Sequence, residues 1–189
     1  MNSFGGIWDD NKCFEFEMAN NIRLDNDGFV NLYINTAKQI LELIEFETFA
    51  DIGGGVGAYS IAMKNRNKQV YYYDLNSIHL EYAKKHNVAH NYFQCDITDT
   101  KIKADLVACI EVMEHITDDK LNMMLKNIEC NYFHFSSTPH LTDFDAEWGH
   151  INIKQESQWI ELFNKHNYEL MKKVNVPTTW SLLFKKTID

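Results

Sequence analysis

The tightest constraint on this chain is a glycine cluster at the end of a short apolar run. Phe49-Ala50-Asp51-Ile52 leads directly into Gly53-Gly54-Gly55-Val56-Gly57. Thr48–Ile52 reads as a buried strand that stops at the glycines. Glycine turns sharply at little steric cost and lets a ligand come close to the backbone. A helix expected over Tyr59–Asn65 follows at once, so its first amides point at the same place. A strand, a glycine turn and a helix together open a parallel α/β sheet.

The remaining chain continues the alternation. Ile34, Ala37, Leu41 and Ile44 recur at helical spacing, which predicts an amphipathic helix over about residues 30–46. Strands are expected at Gln69–Tyr73, Asn91–Cys95, Ala104–Ile110 and Tyr132–Phe135. Helices are expected from Ser77, as cap, to His86, then from Asp118 to Asn127 and from Gln155 to His166, with Trp159, Leu162 and Phe163 inward. Ala104–Ile110 is the most apolar strand and belongs at the sheet centre. Leu170–Val176 and Trp180–Lys185, separated by Pro177, read as a hairpin that adds an antiparallel strand. The expected fold class is therefore α/β, doubly wound, with a mostly parallel sheet. The 189 residues suit one domain. Residues 1–46 form its N-terminal helical segment and 47–189 its ligand-binding core. Phe4, Trp8, Phe14, Phe16, Phe29 and Tyr33 are expected to pack the first helix on the sheet, with a lid over the pocket as the alternative.

Charge and cysteines narrow the partners. There are 18 basic and 27 acidic side chains, a net charge of −9. Such a surface repels phosphate backbones and argues against nucleic acid. Cys13, Cys95, Cys109 and Cys130 form no CxxC pair, which argues against structural zinc. Reduced thiols, with Cys95 and Cys109 buried, point to a cytoplasmic protein. The opening MNSFGGIWDD lacks the basic and apolar regions of a signal peptide, and no apolar run approaches the ~20 residues of a membrane span.

Ligands of such sheets bind beyond the carboxyl ends of the strands, and acidic residues recur there. A P-loop would need Lys-Ser/Thr after the glycines, which is lacking. Gly53-x-Gly55-x-x-Ala58 permits a dinucleotide, yet Asp51 would sit beside its anionic pyrophosphate. S-adenosylmethionine carries an ammonium that Asp51 favours. Asp74, ending Tyr71-Tyr72-Tyr73, can accept from both hydroxyls of a ribose in either ligand. Asp96, in Phe93-Gln94-Cys95-Asp96-Ile97, can accept from an adenine amino group. Glu111-Val112-Met113-Glu114-His115 follows the fourth strand.

In this order and spacing the segments resemble the class I S-adenosylmethionine-dependent methyltransferases, over about residues 45–186. FADIGGGVG is similar to their first motif, DxGxGxG, while YYYD, FQCDI and ADLVACIEVMEH are similar to the next three. The resemblance implies a seven-stranded sheet with the last strand antiparallel. It implies that Asp51, Gly53 and Gly55 hold the methionine end of the cofactor, Asp74 the ribose, and Asp96 with Ile97 the adenine, with Leu75 and Glu111 also among the cofactor-binding residues. EVMEH and WGHINIKQESQWIELF resemble enzymes that methylate small molecules. The chain has no NPPY-like segment and no Pro-Cys nucleophile, as DNA methylation would need.

The expected activity is methyl transfer to oxygen or nitrogen of a small metabolite, a sugar or glycan precursor among the candidates. An alcohol acceptor must lose a proton, which suits histidine. His115, His150 and Glu114 are the expected catalytic residues, with His140 a further candidate on the long segment after the fifth strand. His79, His86 and His90 are placed on or near a helix away from the site. No metal is expected. In the alternative, Glu111, Glu114 and His115 share one helix face at i, i+3, i+4 spacing and bind a divalent ion with His150. That arrangement resembles metal-dependent RNA 2′-O-methyltransferases. A nicotinamide-binding oxidoreductase and a non-catalytic binding module are the remaining readings.

Overall fold

The computed structural model describes residues 8–140 and 142–187. Phe4 lies outside the described residues. Two helices come first, α1 (Asp10–Ala19) and α2 (Asp27–Leu43), capped by the side chains of Asp9 and Asn26. The alternation then runs β1 (Thr48–Ile52), α3 (Ala58–Lys64), β2 (Gln69–Asp74), α4 (Ser77–Lys85), β3 (Asn91–Gln94), β4 (Ile102–Lys103) and β5 (Leu106–Ile110). It continues through α5 (Asp118–Asn127), β6 (Ile128–Glu129), β7 (Tyr132–Ser136), α6 (Asp143–Trp148), α7 (Glu156–Asn164), β8 (Tyr168–Lys173) and β9 (Leu182–Lys186).

Seven strands form one sheet in the order β3-β2-β1-β5-β7-β9-β8. The first five pair in parallel, and β9 runs antiparallel to both β7 and β8. The mostly parallel sheet and its C-terminal antiparallel strand thus stand as expected. β5 is central, and Leu106 through Cys109 are fully buried.

Strand alternation explains the two apolar layers. Leu106 and Ala108 of β5, with Leu183 of β9, pack against Ala37, Ile40, Tyr59 and Met63 of α2 and α3. Val107 and Cys109, with Phe133, Phe135 and Phe184, pack against Leu121, Met124, Trp159 and Phe163 of α5 and α7. Each fully buried large side chain contributes about 2 kcal/mol. A slip of one residue in β5 would exchange its two faces. The strands also share an anchor at their starts. Asp105 Oδ2 accepts from the Thr48 amide at 2.9 Å and the Thr48 hydroxyl at 2.8 Å.

Several boundaries differ from expectation for identifiable reasons. Asn76, not Ser77, caps α4, its side chain accepting from the Ile78 amide. The residues before β5 divide, because Ile102–Lys103 pairs with Ile128–Glu129 in a separate two-stranded ribbon. β9 starts at Leu182, because the Trp180 side chain is drawn to Glu111. Cys95 is half-buried rather than buried. The N-terminal aromatics pack mainly on helices rather than on the sheet. Phe14 meets His79 and Tyr82 of α4, and Trp8 and Phe16 meet Trp148 of α6. Among the described residues, no helix is long and apolar enough to cross a membrane.

Candidate active site

The carboxyl ends of β1, β2 and β5 border two cavities that share Gly53, Asp74, Val112 and His115. The first, of 270 Å³, lies over the glycine loop and continues to Ile22, Phe29, Tyr33 and Trp148. The second, of 280 Å³, lies toward Leu75, Asp96, Ile97 and Ile151. Together they make one cleft from the β3 side of the sheet to the aromatic side.

The loop is shaped for close approach. Gly53 and Gly55 have φ of +66° and +55°. A side chain built on Gly55 would meet no atom within 4 Å, so its backbone lies open to the cleft. The Gly53 and Gly54 amides donate to the Tyr73 carbonyl, which fixes the turn against β2.

Two carboxylates stand at the loop. Asp51 is buried and accepts from the Ser60 hydroxyl at 2.7 Å. Burial, with the nearby charge of Asp74, pushes its pKa up to about 6 against the pull of Ser60. A cation beside Asp51 would relieve that cost. Asp74 is buried too, and burial raises its pKa. It accepts from the Gly55 amide at 2.9 Å and the Asn76 amide at 2.8 Å, and the Tyr72 hydroxyl lies at 3.2 Å. Asp74 therefore braces the glycine loop and also lines both cavities.

On the other side, Asp96 accepts from the Thr98 amide and hydroxyl and faces Lys120 at 3.6 Å. Partial burial would raise its pKa, but Thr98 and Lys120 prevail and hold it below the usual carboxylate range. Leu75, Ile97, Val112 and Ile151 give this cavity apolar walls suited to a flat ring.

The segment after β5 corrects one expectation. It is a 3-10 turn, Met113–His115, not an α-helix, so Glu111 does not share a helical face with Glu114 and His115. Glu111 has φ of +55° and is held by β7 and the last hairpin. Its amide donates to the Ser136 carbonyl, and its Oε1 accepts from the Ser136 hydroxyl and from Trp180 Nε1. The carboxylate expected to bind cofactor thus has protein partners as well as a place in the wall of the first cavity. Glu114 is fully buried; burial and the charge of Glu111 raise its pKa.

Glu114, His115 and His150 do come together, as the sequence reading required. Each offers a ligand-type atom within 4.8 Å of the others'. His115 Nδ1 lies 3.1 Å from the Gly149 carbonyl, so Nδ1 carries the proton and Nε2 is the acceptor. Burial, then His150, pushes the His115 pKa down to about 4, which keeps the ring neutral above that pH. His140 is exposed and stands outside this group.

His79 requires a second correction. Placed away from the site by sequence, it is buried and lines the first cavity. Its Nε2 lies 2.6 Å from Glu17 Oε2. Burial works to lower its pKa, but Glu17 and then Asp74 prevail and raise it. Glu17 and Trp148, also unforeseen, bring α1 and α6 to the same cavity. A signal for His79 did exist, since the first turn of a helix that follows a strand directly borders the cleft.

The donor set fits S-adenosylmethionine. Asp51 and the glycine loop would hold the ammonium end, Asp74 the ribose, and Asp96 with Leu75 and Ile97 the adenine. When bound, the cofactor supplies an electrophilic methyl group on a sulfonium. S-adenosylhomocysteine affinity should therefore fall about tenfold between about pH 7 and about pH 5, as Asp51 gains its proton. The sign follows from the raised pKa: the ionised form that pairs with an ammonium is full above about 6 and lost below it. Calorimetry across that range checks this, and Asp51→Asn should flatten the profile.

Comparison with known proteins supports the assignment. Residues 49–130 match a family model described as a methyltransferase domain. A search of curated proteins finds no significant match. Among solved structures, magnesium protoporphyrin IX methyltransferase from Synechocystis PCC 6803, with bound S-adenosylhomocysteine, superposes with a TM-score of 0.64 at 15% identity, covering 84% of this chain and 82% of that one. A TehB-like methyltransferase from Corynebacterium glutamicum gives 0.58 at 18% identity, covering 80% and 86%. The pyocyanin biosynthetic protein PhzM gives 0.62 at 11% identity, covering 84% of this chain and 56% of its own. The family model spans the strands that carry the glycine loop and the neighbours share the whole sheet, so the chain has the class I methyltransferase fold, with residues 49–130 matching its methyltransferase domain.

Proposed function

We propose that the enzyme methylates an oxygen or nitrogen of a small metabolite, a sugar or glycan precursor among the candidates. The observation that carries this reading is the far end of the first cavity. Beyond the glycine loop its wall includes Ile22, Phe29, Tyr33 and Trp148, an apolar lining of the kind that keeps water from a transfer reaction, beside the polar pair Glu17 and His79. The enzyme's task is to align the acceptor with the methyl donor and to handle its proton. Glu114, His115 and His150 are the groups for that task, and His115 faces both cavities. With a pKa near 4, His115 is a weak base and serves better as a hydrogen-bond acceptor that orients the substrate.

An RNA substrate is disfavoured by charge. Lys120 is the one Lys or Arg among the described residues lining the two cavities, and the net charge is −9. Four free thiols fit a reducing, cytoplasmic setting.

The test is transfer of labelled methyl to a panel of small alcohols and amines, with short RNA oligomers alongside. Label should enter a small acceptor. Trp148→Ala should lower kcat/KM for it about tenfold or more through lost aromatic contact, with S-adenosylhomocysteine affinity kept within about twofold. Label in RNA alone would overturn the reading.

A further inference from the structure

Given the small-molecule reading, on which this rests, we propose that the first cavity selects an acceptor carrying a protonated amine, seated between its carboxylates and its aromatic wall. The acceptor class is then a bifunctional amine, such as an amino alcohol or an amino sugar.

The cavity holds an excess of negative charge. Glu17, Asp51, Asp74 and Glu111 all line it, and no Lys or Arg among the described residues does. His79, which Glu17 and then Asp74 favour in its charged form, offsets one of the four. His115 is neutral above about pH 4 and offsets none. S-adenosylmethionine carries a sulfonium, an ammonium and a carboxylate, so its net positive charge offsets a second. Carboxylates left in a buried site without counter-charge are costly, and a cationic acceptor removes that cost.

That charge reaches the aromatic end of the cavity. Burial first, then the charges of Asp51, Glu111 and Glu17, hold the Tyr33 hydroxyl well above the usual tyrosine range. Carboxylates from α1, from β1 and from the turn after β5 thus act together at one point of the wall. The rings there are held in place by their neighbours. Tyr33 meets Phe29 edge to face at 5.3 Å, and Trp148 meets Trp8 and Phe16 in the same way at 5.5 and 5.4 Å. Ring faces attract a cation, and nearby carboxylates strengthen the preference. A neutral polyol would gain only hydrogen bonds here, and an anion would be repelled.

A protonated nitrogen has no lone pair, so the charged group serves recognition. A neutral oxygen or nitrogen elsewhere in the same molecule attacks the methyl carbon. The carbon–sulfur bond breaks with its electron pair kept by sulfur, and the acceptor's displaced proton leaves to solvent.

The experiment is ligand-observed nuclear magnetic resonance titration of the full chain saturated with S-adenosylhomocysteine. The probes are aminocyclohexanol, cyclohexanediol and hydroxycyclohexanecarboxylate, each substituted across the ring, which share a shape and a hydroxyl and differ in charge. The amine should bind at least about tenfold more tightly than the diol, and the acid should not bind detectably. Trp148→Leu keeps apolar bulk but removes the ring. It should weaken the amine about fivefold and leave the diol within about twofold, with S-adenosylhomocysteine affinity kept within about twofold as the sign of a folded variant. Equal or tighter binding of the diol or the acid, no binding of the amine, or amine binding unchanged in Trp148→Leu would overturn the proposal. The small-molecule reading would fail separately, by labelled methyl entering RNA alone while S-adenosylhomocysteine still binds.

Discussion

Asp74→Ala is expected to weaken S-adenosylhomocysteine binding by at least about a hundredfold. A hydrogen bond to a charged group contributes about 1.5–3 kcal/mol, and a carboxylate on two ribose hydroxyls makes two of them. The substitution also strips an acceptor from the Gly55 amide and from the Asn76 amide, both at or beside the loop. The loss therefore combines missing ligand contacts with a loosened cradle. Asp74→Asn separates the two. It keeps the shape and one acceptor oxygen, so it should brace the loop in part and still forfeit the charged contacts. Calorimetry with S-adenosylhomocysteine, beside thermal unfolding of each variant, measures both effects. A loss below about tenfold in a folded Asp74→Ala protein would mean that the ribose lies elsewhere.

The sheet and the meeting of its strand ends were legible because both depend on local pattern. Apolar runs ending at Gly53, Asp74 and Glu111 mark strands whose carboxyl ends meet in the fold. The parallel topology then brings those ends together without further information. What could not be read locally is what depends on distant partners. The α1 segment shows little periodicity because only Cys13 is buried within it, and its other contacts fall on α4 and α6. Glu111 leaves helical geometry because Ser136 and Trp180, 25 and 69 residues away, hold it in the left-handed region. His79 was assigned to a helix correctly but to the wrong surroundings, since spacing alone cannot show that Glu17 would arrive opposite it. The grouping of Glu114, His115 and His150 lay between these cases. Two of them are neighbours in sequence, and the third comes through the amides of Ile151 and Asn152.

Gly53→Ala is expected to have the second largest effect, and it tests the loop through packing rather than charge. A Cβ at this position would lie 2.4 Å from Val112 Cγ2, far inside contact distance. The backbone there has φ of +66°, in the left-handed region that costs a residue with a side chain about 1–2 kcal/mol. Overpacking against the partly buried Val112 adds about 1–3 kcal/mol. The variant should therefore unfold about 2–5 kcal/mol more easily, or move the loop from the cleft and lose cofactor affinity. The double variant Gly53→Ala with Val112→Ala distinguishes the two causes. Removing the valine methyls relieves the clash and should return the overpacking part, while the backbone part stays. Chemical denaturation of the three proteins, with S-adenosylhomocysteine binding measured in parallel, gives that partition. Recovery of both stability and binding would assign the position to packing alone. Recovery of stability without binding would mean that the left-handed turn at Gly53 is what keeps the backbone open to the cofactor.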